Sequence, residues 1–178
     1  MKYTTILGLL AVFALTSIPG MADAKIEEGT KEISAFGALS TTEPEEGDTT
    51  TQLVIQVGGG VFLDTNNQVG GSFTQASSES GGDTATLRVI TGFFKHHLNT
   101  EEEAIPYLGG QGGMAFLEFA GESASSIAYG GMFGVKFFLS EELSMNVEYN
   151  LLFTTITYDS QEYDVTQTTI QAGMSYYF

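Results

Sequence analysis

The chain has 178 residues, with 22 acidic and 6 basic side chains and a formal net charge of −16. That length allows one domain and hardly two, and the negative balance repels nucleic acid, which excludes it as a partner. Cysteine is absent, so no disulfide framework, zinc-thiolate site or cysteine nucleophile exists. The 13 Phe and 8 Tyr set the chain apart from acidic disordered tails. A count of 22 Gly against 3 Pro favours sheet, turns and close backbone packing over helix.

Residues 1–24 read as a secretory signal peptide. Lys2 supplies a basic start, residues 6–15 an apolar core, and Ala22-Asp23-Ala24 a small-x-small cleavage site. The apolar run is too short for a transmembrane helix, which needs about 20 residues. Residues 25–178 are then a single exported domain.

That domain repeats an apolar–polar alternation of period two and predicts eight strands. They span roughly 31–41, 50–63, 67–77, 84–95, 105–119, 126–139, 143–157 and 166–178. In the seventh, Leu143, Met145, Val147, Tyr149, Leu151 and Phe153 alternate with Ser144, Asn146, Glu148 and Asn150. Polar connections at 42–49, 78–83, 120–125 and 158–165 alternate with tight ones at 64–66 and 140–142; the connection at 96–104 is a longer exception. Strands of ten or more residues suit a tilted bilayer span. The second face of each strand is Gly, Ser, Thr, Asn and Gln, whereas a soluble exterior would carry Lys and Glu. The predicted fold class is all-β: an eight-stranded antiparallel up-and-down transmembrane β-barrel. A soluble periplasmic barrel or sandwich is the alternative.

The last residues carry a resemblance. Gln171, Gly173, Tyr176 and Phe178 occupy the positions of the carboxy-terminal insertion signal of bacterial outer-membrane barrels. Residues 106–113 and 134–139 resemble the mid-barrel strands of small eight-stranded members. The whole exported domain resembles the OmpX-like and OmpW-like families, that is, the outer membrane protein β-barrel domain. The resemblance implies a Gram-negative outer membrane, insertion by the barrel assembly machinery, and a monomer. It also implies long connections at the cell surface and both termini in the periplasm.

With the apolar face turned to lipid, the inward charges are expected to be Glu32, Arg88, Lys136 and Glu148. An eight-stranded barrel is only wide enough for its side chains to fill, so these four should pair inside it. Strand register makes Lys136 and Glu148 direct or diagonal neighbours, and a Lys136–Glu148 pair is expected. Phe36, Phe62, Phe94, Phe138 and Tyr107 are expected inside, with Gly58, Gly60, Gly92, Gly109, Gly113, Gly130, Gly134 and Gly173 making room. The network reads as a structural plug; the alternative is a selectivity ring in a narrow porin-like channel for ions or small solutes.

No nucleophile elbow, phosphate loop or HExxH motif occurs. The only histidines, His96 and His97, are adjacent at a strand end and read as turn residues rather than metal ligands. The expected function is therefore non-enzymatic, without cofactor or metal. A lipid-modifying outer-membrane enzyme is a third option. The polar connections hold Glu43, Glu45, Glu46, Asp48, Glu79, Asp83, Glu122, Asp159, Glu162 and Asp164 but no Lys or Arg. Such a rim suits cationic partners, or lipopolysaccharide bridged by divalent cations, which prefer oxygen ligands. Asp159, Glu162 and Asp164 form the tightest candidate loop. General acidity, from a saline habitat or for solubility, is the alternative account.

Overall fold

The computed structural model describes residues 26–42, 50–80, 83–98, 100, 104–119, 122–158 and 161–178. Eight strands run in chain order: β1 (Lys31–Thr42), β2 (Thr50–Phe62), β3 (Asn67–Ser80), β4 (Asp83–His97), β5 (Ala104–Phe119), β6 (Glu122–Ser140), β7 (Leu143–Tyr158) and β8 (Gln161–Tyr177). Each pairs antiparallel with its neighbours in sequence, and β1 pairs with β8 to close a barrel. Closure removes the sheet edges that lipid could not hydrogen-bond.

Alternation decides which side of each strand meets what. Ile33, Leu53, Ile55, Ile90, Met114, Ile127, Phe133, Ile170 and Met174 stand exposed on the outside. Gln56, Gln68, Ser72, Thr91, Asn146, Gln171 and Ser175 are buried inside. A soluble barrel has the opposite arrangement; polar inside and apolar outside is the transmembrane one. On β2 the outward apolar stretch runs from Leu53 to Val61, and on β7 from Leu143 to Phe153. These lengths match a tilted bilayer span of about 9–11 residues.

Several strands reach further than the alternation suggests. β6 begins at Glu122 rather than 126, and β8 at Gln161 rather than 166. The connections expected at 78–83, 120–125 and 158–165 are therefore largely strand. Their polar residues pair across hairpins, as in Ser78↔Ala85, Glu118↔Ser123 and Thr157↔Glu162. Polarity marked where the wall leaves the apolar band, not where the ladder stops. Glu79, Asp83, Glu122, Glu162 and Asp164 accordingly lie within strands. Glu43, Glu45, Glu46, Asp48 and Asp159 lie outside the described residues.

The closing seam is the short one. β1 and β8 pair from Glu32↔Tyr177 to Gly37↔Ala172 and then part. β1 continues to Thr42, and β8 has run from Gln161. At the terminal end the chain hooks in before β1. Gly29, with φ of 88°, turns the backbone in a way other residues resist, and its N–H donates to the Phe62 carbonyl at 2.8 Å. The hook buries Ile26 in the barrel mouth.

Candidate functional site

The interior of the barrel holds the groups with chemical potential. Glu32 on β1 and Lys136 on β6 form an ion pair of 2.5 Å; Lys95 on β4 and Glu148 on β7 form another of 3.0 Å. All four are buried, with Glu148 fully enclosed. Buried charge is tolerated only when its remaining lone pairs and protons are satisfied, and both carboxylates have donors beyond their lysines. Glu32 also accepts from Gln68 Nε2 at 2.7 Å and Ser175 Oγ at 2.6 Å. Glu148 accepts from Tyr107 OH at 2.8 Å and Gln171 Nε2 at 2.9 Å. Lys95 Nζ lies 4.8 Å from the Tyr107 ring centre, and Lys136 Nζ 5.2 Å from that of Tyr177.

Glu32, Lys136 and Glu148 thus sit where their strand parity put them, but in different pairs. Lys136 lies opposite Asn146, and Glu148 opposite Gly134, so the two are diagonal neighbours on one face. Each bonds across the lumen instead of along the hairpin, because the interior is narrow enough for side chains of distant strands to meet. The expected Lys136–Glu148 pair gives way to Lys136–Glu32 and Lys95–Glu148.

Arg88 is a correction. It points outward and pairs with the exposed Glu118 at 3.1 Å. Phe94 and Gly92 face outward with it, and Phe93, Lys95 and His97 take the inner face. A one-residue shift in the assignment of β4 flips every side chain. Val89-Ile90 and Phe93-Phe94 made its parity ambiguous. The ion pairs resolve it: Lys95 is buried inside the barrel against Glu148, whereas Arg88 meets Glu118 on the exposed outer face. Sending Lys95 to lipid would strand a charge in hydrocarbon. The count of two inner bases against two inner acids is kept, with Lys95 in the place expected for Arg88. Lys95 was legible only as a base one residue out of phase.

His97 is another correction. It does not solvate a turn. It is buried between the rings of Phe62 and Tyr107, at centroid distances of 4.9 and 5.5 Å. Its Nδ1 donates to the Asn66 carbonyl at 3.2 Å. His96 faces the other way and meets Asn67 Oδ1 through Nδ1 at 2.9 Å. Below the ion pairs, Ile26, Phe62, Ile105, Phe138 and Tyr177 pack into an apolar stopper at the terminal end. Phe36 lies inside as well. Among the described residues no group of three or more His, Asp or Glu could hold a metal ion. Ser72 bonds Thr91, Ser144 bonds Asn146 and Tyr177, and Ser175 donates to Glu32.

The four terminal-signal residues divide between the faces. Gln171 turns inward to Gln56 and Glu148. At Gly173 a Cβ would strike the Phe36 ring and the Ala35 carbonyl. Tyr176 and Phe178 are exposed on the outside, their rings stacked 6.1 Å apart. Glu162 and Asp164 lie in the backbone ladder of β8, opposite Thr157 and Thr155; Asp159 is outside the described residues.

No protein of curated function matches the sequence. Among solved structures, Neisserial surface protein A superposes with a TM-score of 0.68 at 16% identity, over 85% of this chain and 100% of that one. OprG from Pseudomonas aeruginosa gives 0.54 at 13%, over 86% and 97%. Ail, the attachment invasion locus protein of Yersinia pestis, gives 0.50 at 22%, over 85% and 99%. At these identities the likeness is one of fold. The model of the outer membrane protein beta-barrel domain matches residues 8–178. With the closed eight-stranded wall, its apolar exterior and its polar filling, this chain belongs to the outer membrane protein beta-barrel domain family.

Proposed function

We infer that the protein is a non-enzymatic outer-membrane barrel whose lumen is plugged, acting through its surface rather than through a pore. One observation carries this inference: the lumen is filled at successive depths by groups with almost no accessible surface. Lys136, Glu148, Phe62, Ile105 and Phe138 are each 1% exposed or less. Of the four phenylalanines expected inside, Phe36, Phe62 and Phe138 are buried in the lumen, while Phe94 faces out. Above the ion pairs lies a cavity of only about 20 Å³, lined by Gln56, Thr91, Gln111, Asn150 and Gln171 among others. That is room for about one water, not a file of them.

Single-channel recording of the refolded chain in a planar bilayer tests the inference, with heat-dependent gel mobility as the folding control. Folded protein should carry no steady current. Steady, cation-selective steps that change with Glu148→Gln would establish the narrow-channel alternative.

The partners in this proposal are the outer-membrane lipid and lipopolysaccharide, and the barrel assembly machinery during insertion. Gln171, Gly173, Tyr176 and Phe178 are the proposed insertion signal, and both termini lie on the periplasmic side. The acidic hairpin ends then face outward. Divalent cations bridging their carboxylates to lipopolysaccharide phosphates are the proposed contact, with Asp159, Glu162 and Asp164 the first to neutralise.

A further inference from the structure

The closing seam leaves two strand edges without a partner strand. Lys31 and Phe178 exchange both backbone hydrogen bonds, at 2.9 and 3.0 Å. In an antiparallel ladder such bonded pairs recur at every second residue. Ile33↔Tyr176, Ala35↔Met174 and Gly37↔Ala172 continue the series, and there it stops. Leu39 with Ile170 and Thr41 with Thr168 come next; both strands run on past them, yet neither pair forms. By the same alternation the N–H and C=O groups of Leu39, Thr41, Thr166, Thr168 and Ile170 face the parted seam. The odd-numbered groups of β8 face β7 instead. The Tyr177 N–H donates to the Glu142 carbonyl at 2.8 Å, and the β7–β8 ladder runs to Tyr158↔Gln161 without a bulge. Among the described residues no strand meets the even-numbered edge of β8 above Ala172.

A free edge is a template for another strand, and proteins usually guard one with Lys, Pro or a bulge. Thr166-Gln167-Thr168-Thr169-Ile170 has none of these guards and is rich in the β-branched residues that strands favour. Charge selects the partner. β8 carries Glu162 and Asp164, and the chain beyond β1 carries Glu43, Glu45, Glu46 and Asp48. Neither residues 32–87 nor residues 137–178 contain a Lys or Arg. We propose that the free edge of β8 takes up an extended cationic peptide segment of a partner protein as an added strand, in the stretch that β1 has left. Backbone bonds to Thr166, Thr168 and Ile170 supply the hold, as in other strand additions, and the segment's Lys and Arg residues complement the acids around the edge. A second copy of this chain brings the same acids to the same edge, and like charge opposes it. The proposal gives the surface reading above a partner. It does not depend on whether the lumen conducts, so the bilayer recordings test that reading separately.

Amide exchange by NMR of the refolded chain in phosphatidylcholine nanodiscs, at fixed pH and without divalent cations, tests this. The probe is an octapeptide of alternating Lys and Val. Its counterparts are the Glu-Val octapeptide and the fully N-methylated Lys-Val octapeptide, which keeps the charge but cannot donate to a ladder. The Lys-Val peptide should slow exchange at Thr166, Thr168 and Ile170 at least tenfold and leave Gln167 and Thr169, which face β7, unchanged. Both counterparts should bind at least tenfold more weakly. Thr168→Pro removes a donor from the free edge, where a strand tolerates proline; it should weaken the Lys-Val peptide at least tenfold, with heat-dependent gel mobility confirming a folded barrel. Glu162→Gln combined with Asp164→Asn should weaken it as well. Protection of Thr168 and Ile170 in the peptide-free chain, which means a seam already shut, would overturn the proposal. So would unchanged exchange at saturating Lys-Val peptide, or equal binding of either counterpart.

Discussion

A buried ion pair and an exposed one sit in the same barrel, and their environments give them different weights. Lys136 and Glu32 are enclosed, and Glu32 has further donors in Gln68 and Ser175. Removing one partner leaves the other as an uncompensated buried charge, which costs about 3–5 kcal/mol. Lys136→Met should therefore lower the urea-unfolding free energy of the refolded barrel by that order, and adding Glu32→Gln should recover part of it. Arg88 and Glu118 keep 46% and 57% of their side-chain surface. An exposed pair contributes about 1 kcal/mol or less, so Arg88→Ala should change the same measurement by no more than that.

At the scale of the strand, glycine separates two situations. A Cβ at Gly113 would strike the Ile90 carbonyl, and one at Gly130 the Leu151 carbonyl; both obstacles are backbone and cannot step aside. At Gly92, on the outer face, the nearest atom is 3.8 Å from the same position. Gly113→Ala and Gly130→Ala should each cost about 1–3 kcal/mol, as overpacking does. Gly92→Ala should leave the folded yield on a heat-shift gel unchanged. The β2–β3 turn has its own lock. Asp64 accepts from the Asn66 and Asn67 backbone N–H groups at 2.8 and 2.7 Å and from Asn67 Nδ2 at 2.7 Å. The Asn67 side chain first, then these backbone donors, hold the Asp64 carboxyl below the usual aspartate range. A depressed folded value means the turn gains stability above the unfolded pKa and loses it as pH falls through the folded one. Amide-exchange protection at Asn66 and Asn67, corrected for the intrinsic pH dependence of exchange, should fall on acidification through that range, and Asp64→Asn should remove that fall.

For the molecule as a whole, the filling and the wall are one design problem. Eight strands close on a lumen that side chains can occupy completely. The stopper of Phe62, Ile105, Phe138 and Tyr177 lies below the ion pairs, so charge alone does not hold the interior shut. Opening a path should require removing bulk. Phe62→Ala combined with Phe138→Ala should give a folded but destabilised barrel, each truncation costing about 3–5 kcal/mol. Planar-bilayer recordings of that double variant should show current where the unsubstituted chain shows none.

The sequence by itself determined the wall. Period-two alternation located all eight strands and their order, because in a membrane barrel every strand must present lipid with an apolar face along its full span. The parity of Glu32, Lys136 and Glu148 followed from the same rule. Tertiary structure decided the rest, for three physical reasons. Partners inside a narrow closed lumen come from strands far apart in sequence, so hairpin register alone pointed Lys136 to Glu148 when it bonds Glu32. On β4, adjacent apolar residues left the face undetermined until the partners of Arg88 and Lys95 were fixed in space. Polar strand ends looked like loops, since alternation fades once the wall leaves the lipid although its ladder continues. The parting of β1 from β8 left no trace in the chain, because closure of a barrel joins its first strand to its last.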